Sequence, residues 1–136
     1  MSAAAEIPTL ARKCVHCGFC NATCPTYLVT GDELDGPRGR IWLMKDMMAA
    51  PDAAPSARAA RHLDRCLTCL SCTSTCPSGV DYAQLIDTAR AHIEVHRPWH
   101  ERLARRALTA LMSRRRLFRA ALHLGRLARP LAPLLP

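Results

Sequence analysis

The sequence has few aromatic residues and no long apolar run. Two Trp, two Tyr and two Phe occur among 136 residues, so aliphatic side chains must form most of any core. No stretch approaches the roughly 18 consecutive apolar residues of a membrane-spanning helix. The first residues also lack the basic region and apolar stretch of a secretory signal. We therefore predict a cytoplasmic chain, in which cysteines stay reduced and are available to bind metal.

Familiar catalytic patterns are missing as well. The sequence contains no Ser/His/Asp arrangement, no pair of carboxylates suited to acid–base catalysis and no glycine-rich phosphate-binding loop. We predict that the chain has no catalytic residue and no substrate site of its own. Any electrons that it handles must come from another protein.

What the sequence does contain is an internal repeat of cysteines. Each copy has the spacing Cys-x2-Cys-x2-Cys-x3-Cys-Pro, and the second copy follows the first by 52 residues. The copies comprise Cys14, Cys17, Cys20 and Cys24, and Cys66, Cys69, Cys72 and Cys76. In bacterial ferredoxins with this spacing, the first three cysteines bind one 4Fe–4S cluster and the fourth binds the other cluster.

Two matched copies predict two 4Fe–4S clusters with crossed ligands. The crossing joins the two halves of the chain, so folding and cluster assembly should be coupled. Cluster one is predicted on Cys14, Cys17, Cys20 and Cys76, and cluster two on Cys66, Cys69, Cys72 and Cys24.

Other uses of these cysteines fit less well. Structural zinc sites usually combine two Cys-x2-Cys pairs or mix cysteine with histidine, and disulfides need an oxidising compartment. His16, within the first copy, is expected to be exposed or to donate a hydrogen bond towards a cluster without ligating it. Gly18 is expected to let the backbone approach the cluster closely.

The rest of the chain has helical patterns. Apolar residues recur near a 3.6-residue period from Arg38 to Ala50, including Met44, Met47 and Met48, and from Asp81 to His96. Ser56 is suited to cap a helix that runs to about Arg65. No segment alternates as strands do. We predict an all-α fold: an α-helical ferredoxin domain over residues 1–97, then a basic helical tail over residues 98–136.

The tail carries most of the positive charge. Residues 97–136 hold ten Arg and one acid, Glu101, whereas residues 1–96 have a net charge of −1. We predict one or two amphipathic helices, interrupted at residues 114–116, and a proline-rich linker at residues 130–136 leading to a C-terminal region that the sequence does not contain. The apolar stripe favours docking onto a helix or an anionic membrane surface; nucleic-acid binding is less favoured.

Four stretches resemble the iron–sulfur subunits of the bacterial glycolate oxidase family. The cysteine runs occur in many electron-transfer proteins, and the stretch Gly31–Ile41 is the more specific part. Iron–sulfur subunits of glycerol-3-phosphate dehydrogenase and of lactate utilisation are similar around the cysteines but match less well at Gly31–Ile41. The stretches are Cys14–Cys20, Thr23–Tyr27, Gly31–Ile41 and Leu63–Val80.

The resemblance implies an oxidoreductase complex, glycolate dehydrogenase. Flavin subunits carrying FAD would oxidise glycolate to glyoxylate, and this subunit would relay electrons towards the respiratory chain. It also implies a partner at the membrane surface or on the quinone side, a peripheral location at the inner face of the cytoplasmic membrane, and a larger C-terminal portion with Cys-Cys-Gly repeats. The alternative is an electron-transfer subunit of another flavin-dependent dehydrogenase, for lactate or glycerol 3-phosphate.

Overall fold

The computed structural model describes residues 7–128, and no strand occurs within that range. The all-α prediction is therefore confirmed. Residues 1–6 and the predicted linker at 130–136 lie outside the described residues. Two compact units follow one another, the first ending at His96 and the second beginning at Arg97.

Over its described residues, 7–96, the first unit contains six α-helices and two short 3-10 helices. The α-helices are α1 (Ile7–Ala11), α2 (Pro25–Thr30), α3 (Pro37–Met48), α4 (Ala57–Asp64), α5 (Ser71–Thr75) and α6 (Tyr82–His96), and the 3-10 helices are Phe19–Thr23 and Glu33–Asp35.

The starts of the longer helices follow local sequence signals. The Ser56 hydroxyl accepts a hydrogen bond from the Ala59 amide at 3.1 Å, and an Asp81 carboxylate oxygen accepts one from the Gln84 amide at 3.0 Å. Each bond satisfies an amide that has no partner within its helix. Pro37 opens α3 at a position where a missing N–H costs nothing. These helices lie close to where the sequence predicts them.

An aliphatic core joins α1, α3, α4 and α6. Ile7, Met44, Leu63, Leu85 and Ile86 are completely buried, and each contributes about 1.5–3 kcal/mol through removal from water. The predicted buried stripe of α6 is confirmed over its whole length, from Tyr82 to Ile93. Met44 and Met47 of the periodic stretch are also buried in this core, and Met48 is partly buried against it. Cys72 belongs to this core, which therefore supports the second cysteine loop directly.

In the described part of the second unit, residues 97–128, the chain forms α7 (Trp99–Ser113) and α8 (Arg115–Ala128). The break falls at Arg114, whose extended backbone angles leave the helical region. None of the helices within residues 7–128 is both long and apolar enough to span a bilayer. Several apolar side chains of this unit are exposed: Leu103, Leu108, Met112, Leu117 and Leu122.

Candidate metal centre

The two cysteine loops have left-handed backbone angles at the same two places. His16 and Gly18 adopt positive φ angles of 55° and 87°, and Thr68 and Leu70, at the same places in the second copy, adopt 52° and 58°. Left-handed residues in tight turns direct backbone N–H groups towards one side and create a concavity for an anion. Each loop is therefore shaped to surround a negatively charged group.

Gly18 lies close to the side chain of Arg38. A Cβ added there would lie 2.9 Å from the Arg38 Nη1 atom. The left-handed φ angle and the nearby guanidinium both favour glycine at this position. Its close approach to a cluster stays a prediction.

A first cavity, which we call site one, opens beside the first loop. It has a volume of about 440 Å³ including its mouth. Three cysteines of the first copy and the last cysteine of the second copy line it together with Cys72: Cys14, Cys17, Cys20 and Cys76.

A second cavity, site two, opens beside the second loop. It has a volume of about 300 Å³ including its mouth. Cys72 and Tyr82 line both cavities and therefore lie between them. The cysteines that line site two are three from the second copy and the last of the first copy: Cys66, Cys69, Cys72 and Cys24.

These cavities fit 4Fe–4S clusters by the chemistry of their donors. All eight cysteines are free thiols. Four thiols around one cavity match the four thiolates that hold a 4Fe–4S cluster.

The second cysteine of each copy is exposed, but the buried cysteine is the fourth of the first copy and the third of the second copy. Cys17 and its counterpart Cys69 are exposed, whereas Cys24 and Cys72 are buried. Burial, and then the nearby thiols of Cys20, Cys66 and Cys24, raise the pKa of Cys72 to about 11. Hydrogen bonding at Ser71 lowers the pKa of Cys69.

The same effects act in site one. Burial, followed by the neighbouring Cys14 thiol, raises the pKa of Cys20. Clustered thiolates repel one another, so a cationic metal core must compensate for their charge and displace their protons. This links metal binding to folding of both loops.

A buried arginine lies against site two. Arg40 Nη1 is 3.9 Å from Cys24 Sγ, and Arg40 Nη2 donates to Thr26 Oγ1 at 3.1 Å. Thr26 Oγ1 is itself 3.2 Å from Cys24 Sγ. Arg40 Nε donates to the carbonyl oxygen of His62 at 2.8 Å, which ties α3 to α4.

Asp35 is the buried carboxylate of this network. Its oxygens lie 2.8 Å from His62 Nδ1, 3.0 Å from Arg65 Nη1 and 3.8 Å from Arg40 Nη2. Burial favours the neutral acid, but the bonds from His62 and Arg65 outweigh it and lower the pKa of Asp35. Asp35 is therefore ionised at neutral pH and anchors the cations around Cys24.

Tyr82 and Arg90 contact the beginning of the second loop. The Tyr82 hydroxyl donates to Cys66 Sγ at 3.8 Å, and burial, followed by the Cys66 charge, raises the pKa of Tyr82. Arg90 donates to the carbonyl oxygens of Leu63 and Cys66 and to the Thr68 hydroxyl. The first turn of the loop is thus held by α6.

The cations of site one lie nearer the surface. Arg38 Nε pairs with Glu33 Oε1 at 2.6 Å. Lys45 Nζ lies 3.1 Å from His16 Nε2, and burial, then Lys45 and Arg38, lower the pKa of His16. His16 is half-buried and lines site one, so it is neither fully exposed nor remote from the cavity.

Sequence reasoning missed the roles of Asp35, Arg40, His62 and Tyr82. Asp35 and Arg40 lie in the stretch Gly31–Ile41. The sequence marks this stretch only by its resemblance to a family. The available signal was the presence of charged residues next to Gly36 and Gly39 in a stretch leading to a buried helix. His62 and Tyr82 gave no signal beyond helix periodicity.

Comparison with known proteins identifies related sequences. The family model described as "4Fe-4S dicluster domain" matches residues 10–80. The "Glycolate oxidase iron-sulfur subunit" of Escherichia coli (strain K12) is 48% identical over 132 residues, which is 96% of this chain and 32% of that protein. The "Probable glycolate oxidase iron-sulfur subunit" of Bacillus subtilis (strain 168) is 48% identical over 82 residues, 57% of this chain and 18% of that protein.

A more distant relative serves a different enzyme. The "Succinate dehydrogenase iron-sulfur subunit" of Paracoccus denitrificans is 32% identical over 90 residues, 62% of this chain and 34% of that protein. The chain spans about a third of the length of the Escherichia coli relative. No solved structure matches the chain.

Proposed function

Because the chain belongs to the 4Fe-4S dicluster domain family, we propose that it is the electron-transfer part of a glycolate oxidase complex. It holds two 4Fe–4S clusters and relays electrons from a flavin subunit, which oxidises glycolate to glyoxylate with FAD, towards the respiratory chain. The observation that carries this proposal is the 48% identity with the Escherichia coli glycolate oxidase iron–sulfur subunit, which extends over 96% of the chain. Substrate oxidation itself belongs to the flavin subunit.

The ligand sets of the clusters are crossed in this proposal. Site one uses three cysteines of the first copy with Cys76, and site two uses three of the second copy with Cys24. Support comes from the two cavities: one set of four lines site two, and the other set lines site one together with Cys72. The ferredoxin domain is proposed to extend over residues 1–97, followed by the basic tail over residues 98–136.

The residues of the chain bind and shield the clusters. Each bound cluster supplies one-electron oxidation and reduction without proton transfer to a substrate. Ile41 and Val80 line site one beside the cysteines, and both are buried, so they exclude water from its inner wall. Pro37, Cys72 and Tyr82 line both sites and form the wall between them.

A redox partner needs access to one cysteine loop. Val15 and Leu67, at the same place in the two copies, are 69% and 66% exposed beside the exposed Cys17 and Cys69. Such apolar residues suit the contact surface of a partner protein. We propose that the flavin subunit docks over one loop and that the next electron acceptor docks over the other.

The tail is proposed to hold the complex at the inner face of the cytoplasmic membrane. Its nine arginines and exposed leucines combine positive charge with apolar surface. That combination binds anionic membrane surfaces.

The function is tested by glycolate-dependent dye reduction in cells that lack this gene. We expect the activity to disappear and to return with the intact gene, while lactate- and glycerol-3-phosphate-dependent reduction stay unchanged. Unchanged glycolate activity contradicts the proposal. Selective loss of one of the other two activities would instead support the alternative dehydrogenase.

A further inference from the structure

We propose that Arg40 and Tyr82 hold the cluster of site two at a higher reduction potential than the cluster of site one. An electron that enters the chain then resides preferentially at site two. This inference rests on the crossed ligand sets of the proposed function. Arg40 and Tyr82 are positioning residues: each contacts the sulfur of a ligand cysteine and acts on the cluster through that sulfur.

Arg40 places a permanent positive charge beside a ligand of site two. Its side chain is 1% exposed, and its Nη1 atom lies 3.9 Å from Cys24 Sγ. A guanidinium group stays protonated even when buried, and its interaction with a nearby negative charge is strongest where water is excluded. Reduction adds one negative charge to the site, so Arg40 stabilises the reduced form.

Asp35 offsets the charge of Arg40 only in part. Asp35 is shared between Arg40, at 3.8 Å, and Arg65, at 3.0 Å. Two guanidinium groups therefore share one carboxylate. The surroundings of Cys24 retain a net positive charge.

Tyr82 supplies a donor at another ligand of the same site. Its hydroxyl donates to Cys66 Sγ at 3.8 Å from a buried side chain. A hydrogen bond to a ligand sulfur stabilises the more negative, reduced form and raises the reduction potential. Arg90 adds a guanidinium group at the Cys66 carbonyl oxygen.

Site one differs in the burial of its nearest guanidinium group and in the side chain beside its ligand sulfur. Its nearest guanidinium, that of Arg38, is paired with Glu33 at 2.6 Å, and the two side chains are 37% and 41% exposed. Solvent screens such a pair, and the carboxylate cancels its charge. At Cys20, the neighbouring Asn21 side chain presents an oxygen acceptor 4.0 Å from the sulfur, so the donors there are the backbone N–H groups of Cys20 and Arg38 and not a buried side chain. The reduced form is therefore less stabilised at site one.

The test is a redox titration of the full chain, loaded with clusters and followed by EPR. Cys17→Ser and Cys69→Ser, the exposed cysteines of the two loops, identify which spectrum belongs to which site. In the unmodified chain, site two should be reduced first. Tyr82→Phe and Arg40→Gln should shift the midpoint of site two to more negative values, with the larger shift for Arg40→Gln, and leave site one unchanged.

Arg38→Gln is the matched control, because it removes the same charge from the exposed pair near site one. It should move either midpoint less than Arg40→Gln does. If Arg40→Gln does not retain its clusters, Tyr82→Phe decides the question, since it deletes one oxygen and preserves the packing. Reduction of site one first, or an unchanged site-two midpoint in Tyr82→Phe, overturns the inference while leaving the relay intact. Fewer than about eight irons per chain would instead contradict the two-cluster site itself, and the inference with it.

Discussion

Thr23 and Thr75, which occupy the same place in the two copies of the cysteine repeat, are hydrogen-bonded to each other, with their side-chain oxygens 3.3 Å apart. Both hydroxyl oxygens also lie within hydrogen-bond distance of the Ser71 carbonyl oxygen, at 3.4 Å for Thr23 and 3.1 Å for Thr75. Equivalent residues meet in this way when two copies face each other across a local two-fold axis, as at the interface of a symmetric dimer. The same arrangement brings the fourth cysteine of each copy to the cavity of the other.

The threonine pair should contribute measurably to the association of the two loops. Thr23→Val and Thr75→Val each remove one hydroxyl, and a double-mutant cycle isolates their interaction. We expect a coupling of about 0.5–1 kcal/mol, since the bond is exposed to water. Urea titration of the cluster-loaded chain, followed by circular dichroism, measures it, and strictly additive effects would show that the pair contributes nothing.

Substitution of the fourth cysteine of each copy should damage the opposite cluster. Cys24→Ser should alter the EPR spectrum of site two, and Cys76→Ser that of site one, with loss of up to about four irons per chain in each case. The reason is that each of these residues lines the cavity formed by the other copy. Iron analysis and EPR of the two variants provide the measurement. Damage confined to the cluster of the same copy would refute the crossed assignment.

Gly39 should be essential for the approach of α3 to the Glu33–Asp35 turn. An added Cβ would overlap the carbonyl oxygen of Glu33 and lie 2.9 Å from Leu34 Cα. We expect Gly39→Ala to destabilise the first unit by about 1–3 kcal/mol and to displace the adjacent Arg40. Urea unfolding and the midpoint of site two would report both effects. Gly125→Ala, where no atom lies within 4 Å of the added group, should change neither.

Asp35→Asn should destabilise the first unit by about 3–5 kcal/mol, because it leaves the buried Arg40 without its counter-ion. The pKa of Asp35 is lowered below its usual value of 3.8 in the folded chain. Ionised Asp35 therefore contributes stability that is fully present above 3.8 and is lost as the pH falls through the folded-state pKa. Circular dichroism between pH 7 and pH 3 should show that acidification reduces the stability of the unmodified chain more steeply than that of Asp35→Asn. Asp52 is exposed, so Asp52→Asn serves as the control and should lose stability on acidification as steeply as the unmodified chain does.

Replacement of Arg114, Arg115 and Arg116 by Gln should weaken binding of the chain to vesicles that contain anionic lipid. Each arginine near such a surface contributes about 1 kcal/mol, so the affinity should fall roughly 100-fold. Sedimentation with vesicles measures the change, and purely zwitterionic vesicles should bind weakly throughout. Replacement of Arg12, Arg58 and Arg61 by Gln makes the same change in charge in the first unit. An equal loss in that control would show that net charge, rather than the tail, is responsible.

The sequence by itself determined the helical fold and the chemistry of the site. The cysteine spacing pointed to two 4Fe–4S clusters, and Ser56 and Asp81 marked the starts of α4 and α6. These features are local, because a capping residue or a three-residue spacing acts within a few positions along the chain. The break between α7 and α8 at Arg114 was predictable for the same reason.

The tertiary structure decided which charges surround which cysteines. Arg40 reaches Cys24 across 16 residues, His62 reaches Asp35 across 27, and Tyr82 reaches Cys66 across 16. No periodicity encodes such pairings, since they depend on how α3, α4 and α6 pack against one another. The difference in charge between site one and site two therefore emerges only when distant segments meet in a buried environment, where a single guanidinium group has a large electrostatic effect.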